Sequence, residues 1–158
     1  MCGGETKSWE PMMTSLILML SLLAAAPSST ESADRTIVTD PAALARLRRN
    51  SGLTLQWISW DYRGRVQVSE RGGRVHLAGS QAARGGPGRL TLDGDVVEIG
   101  PTSFTFRGRI VIADTPDAGR NCVRDGIYEF RITGRRRYWR LQEMEVCDGL
   151  TDYVDIYF

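Results

Sequence analysis

The residues of this chain whose types and spacing could do chemistry crowd into its last quarter. Arg135, Arg136, Arg137, Tyr138, Trp139 and Arg140 are consecutive. Arginines beside aromatic rings can stack on bases or sugars, or grip anionic headgroups, through cation–π and charge-assisted contacts. Glu143, Glu145, Asp148, Asp152 and Asp155 follow. A pair of them on neighbouring strands could serve as acid and base on a glycosidic bond, and Asp148, Asp152 and Asp117 could collect calcium. Neither spacing is diagnostic, and solvated strand faces and turns account for these carboxylates as well. His76 is the only histidine, which excludes multi-histidine zinc sites, and no Gly-x-Ser-x-Gly turn sets a serine beside it. No phosphate loop or dinucleotide fingerprint is present. The sequence therefore assigns no catalytic residue, no metal site and no cofactor, and the arginine–aromatic run is the candidate ligand-binding segment.

Two cysteines frame that region. Residues 16–26 (LILMLSLLAAA) form an apolar run shorter than the ~20 residues of a membrane-spanning helix, and small residues follow it. This is the pattern of a secretory signal peptide, expected over residues 1–28, and Cys2 leaves with it. In an oxidising compartment, periplasmic or extracellular, Cys122 and Cys147 then form a natural disulfide. Closing that loop is worth about 3 kcal/mol in the chain-entropy model. After cleavage nothing remains to make the chain an integral membrane protein.

The elements that must hold these side chains are strands. Residues 29–39 read as a flexible arm. Asp40 then caps a short helix that opens with Pro41 and runs to residue 50, its arginines favouring the negative end of the helix dipole. Beyond Gly52 the hydrophobic period becomes two, which predicts strands over 53–60, 64–70, 74–79, 89–99, 103–112, 127–133, 137–146 and 152–158. The separators are rich in Gly, Pro and Asp. Closely spaced strands without crossover helices make an antiparallel meander. The fold class is all-β: a single antiparallel barrel or sandwich with one short N-terminal helix, occupying residues 40–158. A pattern apolar-x-apolar-x-Gly recurs around Gly79, Gly94, Gly108 and Gly134. Such glycines either turn a hairpin, as Asp93–Gly94 could, or coil a long strand, and coiling favours a barrel.

Strand parity adds a second candidate surface. If Tyr128, Phe130, Val154, Ile156 and Phe158 face the core, the opposite face carries Glu129, Arg131, Tyr153, Asp155 and Tyr157, joined by Arg140 and Gln142. This ribbon of charges and phenols is a ligand pocket if it points into a barrel, and a cross-strand salt-bridge surface otherwise. The alternating Val154, Ile156 and Phe158 at the end also resemble the last strand of an outer-membrane barrel, but most strands are shorter than the ~10 residues of a lipid-facing strand.

With 42% hydrophobic and 25% charged residues and a formal charge of +1, the composition is that of a globular domain with no strong field for nucleic acid. The tail, running from Cys122 through residues 137–144 (RYWRLQEM) and Cys147 to residues 152–158 (DYVDIYF), resembles small exported bacterial proteins to which no activity is attached. The resemblance implies a bacterial, periplasmic or secreted setting and transfers no site residue. Together these readings point to a non-enzymatic envelope or secreted protein that binds a protein, a glycan or an anionic envelope component. The alternatives are a carboxylate-dependent hydrolase of surface glycans, or an inhibitor of such an enzyme.

Overall fold

The computed structural model describes residues 3–4 and 34–158; the leader expected over 1–28 otherwise lies outside them. The elements in chain order are β1 (Ile37–Val38), α1 (Pro41–Arg48), β2 (Gly52–Leu55), β3 (Arg65–Arg71), β4 (Arg74–Ala82), β5 (Arg89–Ile99), β6 (Ser103–Ala113), β7 (Asn121–Arg131), β8 (Tyr138–Leu141) and β9 (Val154–Tyr157). Strands β3 to β9 form an antiparallel meander, and β2 adds to β9, giving the spatial order β2-β9-β8-β7-β6-β5-β4-β3. The two ends of this sheet meet. Leu53 and Gly64 exchange backbone hydrogen bonds of 2.7 and 3.3 Å, so the sheet curls into a nearly closed barrel, not a sandwich.

Alternation decides what fills the barrel. Leu90, Leu92 and Val96 on β5, Phe104, Phe106, Ile110 and Ile112 on β6, Phe130 on β7 and Trp139 and Leu141 on β8 are all buried, with mostly polar residues or glycine between them. Gly94, Gly108 and Gly126 fall in one register row across β5, β6 and β7. Strands approach there so closely that a Cβ on Gly108 would lie 2.3 Å from the Asp93 carbonyl oxygen and 2.8 Å from the Phe106 ring. Gly94 and Gly108 therefore coil the sheet, with β5 running through Asp93 and Gly94 without a hairpin, whereas Gly134 sits at a φ of 63° in the turn between β7 and β8.

The barrel is plugged at both ends. At one, the Asp40 carboxylate accepts the Ala42 N–H at 2.9 Å and caps α1, which buries Ala43, Leu44 and Leu47 in the core. At the other, the buried carboxylate of Asp152 receives two bonds of 2.9 Å from Arg120 and a third of 2.9 Å from Arg124. The Trp57 indole N–H donates to the same carboxylate at 3.0 Å. Its bonds to Asp152 raise the Arg120 guanidinium further, whereas burial pulls Arg124 below its ordinary value. Cys122 and Cys147 are joined beside this cluster, their Cα atoms 5.8 Å apart.

Several limits differ from the sequence reading. Part of the expected flexible arm is held down: Ile37 and Val38 pair in parallel with Glu98 and Ile99 of β5, extending the edge where β4 has not yet begun. The strand expected over 53–60 stops at Leu55, and that expected over 137–146 stops at Leu141. The strand expected from residue 127 begins at Asn121. Among the described residues no helix is long and apolar enough to cross a membrane. The outer wall carries exposed Arg107, Arg109, Asp93 and Asp125, unlike the apolar band of a lipid-facing barrel.

Candidate functional site

Strands β8 and β9 pair with Tyr138 opposite Tyr157, Trp139 opposite Ile156 and Arg140 opposite Asp155. Because Trp139 and Ile156 point inward, Tyr138, Arg140, Asp155 and Tyr157 stand on the outer wall. The ribbon read from strand parity is thus an external surface and not a pocket lining.

Its centre is a fork. Arg140 Nε and Nη2 donate to Asp155 Oδ1 and Oδ2, each at 2.7 Å. The Asp155 side chain is 0% exposed and that of Arg140 15%, because rings cover the pair: Tyr153 lies 4.2 Å and Tyr138 5.2 Å from the guanidinium carbon. Burial pushes the Asp155 carboxyl above its ordinary range against the pull of Arg140, while the fork raises the Arg140 guanidinium. The stack continues outward. Arg136 sits 5.6 Å from the Tyr138 ring, Tyr138 and Tyr157 have centroids 5.2 Å apart, and Arg63 lies 4.0 Å over Tyr157. Thr54 on β2 donates its hydroxyl to the Tyr157 oxygen at 3.2 Å, and burial raises the Tyr157 phenol. The result is a cluster of guanidinium and phenol groups over β8, β9 and the segments that flank them. It offers flat faces and donor edges, which suits a ligand with planar or anionic groups.

The sequence-level candidates divide. Arg136, Tyr138, Arg140, Asp155 and Tyr157 come together as described. Arg135 and Arg137 are exposed on the turn leading into β8, and the Arg137 carbonyl accepts the Phe158 N–H at 3.2 Å. Arg131 is opposite Arg140 in register but bonds Glu129 at 2.6 Å. Trp139 has to be removed from the candidates. It is 0% exposed, edge-on to Phe104 at 5.7 Å and against Phe158 at 4.5 Å, because inward parity at that position makes it core. Arg63 and Thr54 were not anticipated. They reach this face only because β2 pairs with β9 and the barrel closes, and no local signal in their own segment reports that.

The carboxylates proposed for acid–base work are all engaged: Asp152 and Asp155 under arginines, Asp148 on Arg120 at 3.2 Å, Glu143 on the Glu129 N–H at 3.1 Å and Glu145 on the Thr151 hydroxyl at 3.1 Å. His76 Nδ1 lies 2.8 Å from Asp95, and its Nε2 is turned to Asp93 at 3.4 Å. Ser69 is its register neighbour on the opposite side. The imidazole is thus directed toward carboxylates and not toward the hydroxyl. Among the described residues no three metal-ligating side chains converge.

The chain is 42% identical over 106 residues, 66% of its own length and 68% of the relative's, to Uncharacterized protein PM1083 of Pasteurella multocida (strain Pm70). No solved structure matches it significantly. The model of the PM1083 family matches residues 35–158, the whole barrel with its helix, and the chain belongs to that family.

Proposed function

We propose that this is an exported, non-enzymatic binding protein of the bacterial envelope or its surroundings, with residues 1–28 removed as a leader and residues 40–158 acting as one rigid domain. Its ligand surface is the outer wall of β8 and β9 with the turn before them: Arg135, Arg136, Arg137, Tyr138, Arg140 and Tyr157, flanked by Arg131. One observation carries the reading. Arg140 and Asp155 are locked and dried beneath tyrosine rings on the outside of a barrel, where a solvated ion pair would contribute little. The part of the surface so fixed, Arg140 and the rings over it, loses little side-chain entropy when it is covered. The partner it suits is a protein, glycan or other envelope component presenting acidic groups. The engaged state of all five C-terminal carboxylates gives the hydrolase reading no comparable support.

The test is sedimentation of the purified domain with washed envelope fractions. Wild type is expected to bind, and Arg135/Arg136/Arg137→Ala to bind at least about tenfold more weakly, since each desolvated charged contact is worth on the order of 1–3 kcal/mol. Equal retention of the two proteins would remove this surface from the proposal.

A further inference from the structure

A second site lies at the barrel seam. Where β2 and β3 come together they are joined through Leu53 and Gly64, and Asn50 donates its side-chain N–H to the Val66 carbonyl of β3 at 3.2 Å, with an opening beside these contacts. The opening is a cleft of about 500 Å³ lined by Asn50, Ser51, Gly52, Arg63, Gly64, Arg65, Val66 and Ser80. Two arginines and two serines line it, and no carboxylate does. The neighbouring cleft over β3 to β5 shares Arg65 and Ser80 but also carries Asp93, and the one beside the β3–β4 turn carries Asp34, Glu70 and Asp95. In a chain whose formal charge is only +1, the seam cleft is a local excess of positive charge, which attracts an anion.

The two guanidinium groups are differently prepared. Arg63 is fixed, lying 4.0 Å over the Tyr157 ring with Nη1 on the Ser51 hydroxyl. Arg65 is exposed, and its side chain makes no hydrogen bond or ion pair among the described residues. It stands directly opposite Ser80, so a free guanidinium fork and a hydroxyl face the same opening. Gly64 and Gly52 let the backbones beside the cleft approach closely, since a Cβ on Gly64 would meet the Ser80 carbonyl oxygen at 2.1 Å and one on Gly52 the Gly64 carbonyl oxygen at 2.1 Å. We propose that this seam cleft binds a phosphate group, with Arg65 and Arg63 as the charged anchors and Ser80 as a neutral donor. Guanidinium forks match tetrahedral oxyanions in charge and geometry. The site adjoins the β8–β9 surface at Arg63, which lies over Tyr157, and goes beyond it through Arg65 and Ser80, which belong to strands that surface does not use.

Titration of the 15N-labelled domain with inorganic phosphate and, separately, with glycerol phosphate tests this, against sodium chloride at matched ionic strength. Saturable shifts are expected at the Gly52, Gly64 and Ser80 amides. Affinity should fall at least about tenfold in Arg65→Gln and also in Arg63→Gln, one lost charge-assisted contact each, with the spectrum otherwise folded. Arg136→Ala should leave phosphate affinity unchanged, so that loss of the β8–β9 surface and loss of this site are separable. Whichever of the two phosphates binds more tightly distinguishes a free from an esterified source, and binding of either supports the site. Shifts reproduced by chloride, shifts absent from the seam, or undiminished affinity in Arg65→Gln would overturn it.

Discussion

Asp155 is buried on the outside of the barrel, and only its bidentate bonds to Arg140 make that tolerable. Removing one partner from a buried ion pair leaves an uncompensated charge, which costs about 3–5 kcal/mol. Arg140→Gln is therefore expected to lose about that much stability near neutral pH in urea unfolding. The pH dependence has a definite sign. Burial already holds the Asp155 carboxyl above its ordinary value in the folded protein, and loss of Arg140 raises it further. The folded state then binds that proton more tightly than the unfolded chain does. Stability contributed by the protonated carboxyl is complete below the unfolded value near 4 and is lost as pH rises through the elevated folded value. The deficit of Arg140→Gln should thus shrink on acidification toward about pH 4. A deficit equal at both ends of that range would mean that Asp155 is solvated and that the dry outer pair is wrong.

At the scale of elements, the row of Gly94, Gly108 and Gly126 lets three long strands coil into a barrel. The Gly108→Ala methyl would meet the Asp93 carbonyl and the Gly94 Cα at 2.3 and 2.5 Å, so β5 and β6 must separate or untwist. A destabilisation of about 3 kcal/mol, the upper end for overpacking, is expected. Gly85→Ala, with nothing within 4 Å, should shift the urea midpoint little, and similar midpoints for the two variants would refute the steric account. The same strands explain what the sequence could disclose. Alternation from Leu90 to Val96 marks β5, whose inward positions are apolar or glycine, and Ile99 returns inward after a bulge between Val96 and Glu98. β7 was read too late because its inward positions near the start are Cys122, Arg124 and Gly126, and a buried arginine does not register as a core residue. β2 is shorter than the pattern predicts because Trp57 continues the alternation of Leu53 and Leu55 into a turn, where it bonds Asp152 instead of a strand partner. The arginine–tyrosine face was legible from parity for β8 and β9. Its orientation was not, since parity separates two faces without saying which one is outside.

For the whole molecule the deciding step is closure, which joins segments with no local reason to meet. The ribbon β2–β9 pairs residues 52–55 with 154–157, and the seam to β3 rests on the two bonds between Leu53 and Gly64. One buried side chain reinforces it. Gln81 on β4 accepts the Leu55 N–H at 2.7 Å and donates to the carbonyls of Ser59 at 3.1 Å and Tyr62 at 2.8 Å, tying the loop after β2 across the seam. Gln81→Leu keeps the volume but leaves the buried Leu55 N–H and the two carbonyls without these bonds, at about 1–3 kcal/mol for each group that water cannot reach. Because the loss falls on the seam, local opening should become cheaper there than in the central strands. Hydrogen exchange is expected to accelerate at Leu55 and Gly64 by at least about tenfold, a difference of about 1.4 kcal/mol, while the β5 and β6 amides slow or hasten only with global stability. Uniform acceleration across all strands would show that the barrel opens as one unit and that Gln81 is an ordinary core residue. Selective acceleration would identify the seam as the weakest line of the barrel, beside the cleft proposed to hold phosphate, and phosphate should then restore protection at Gly64.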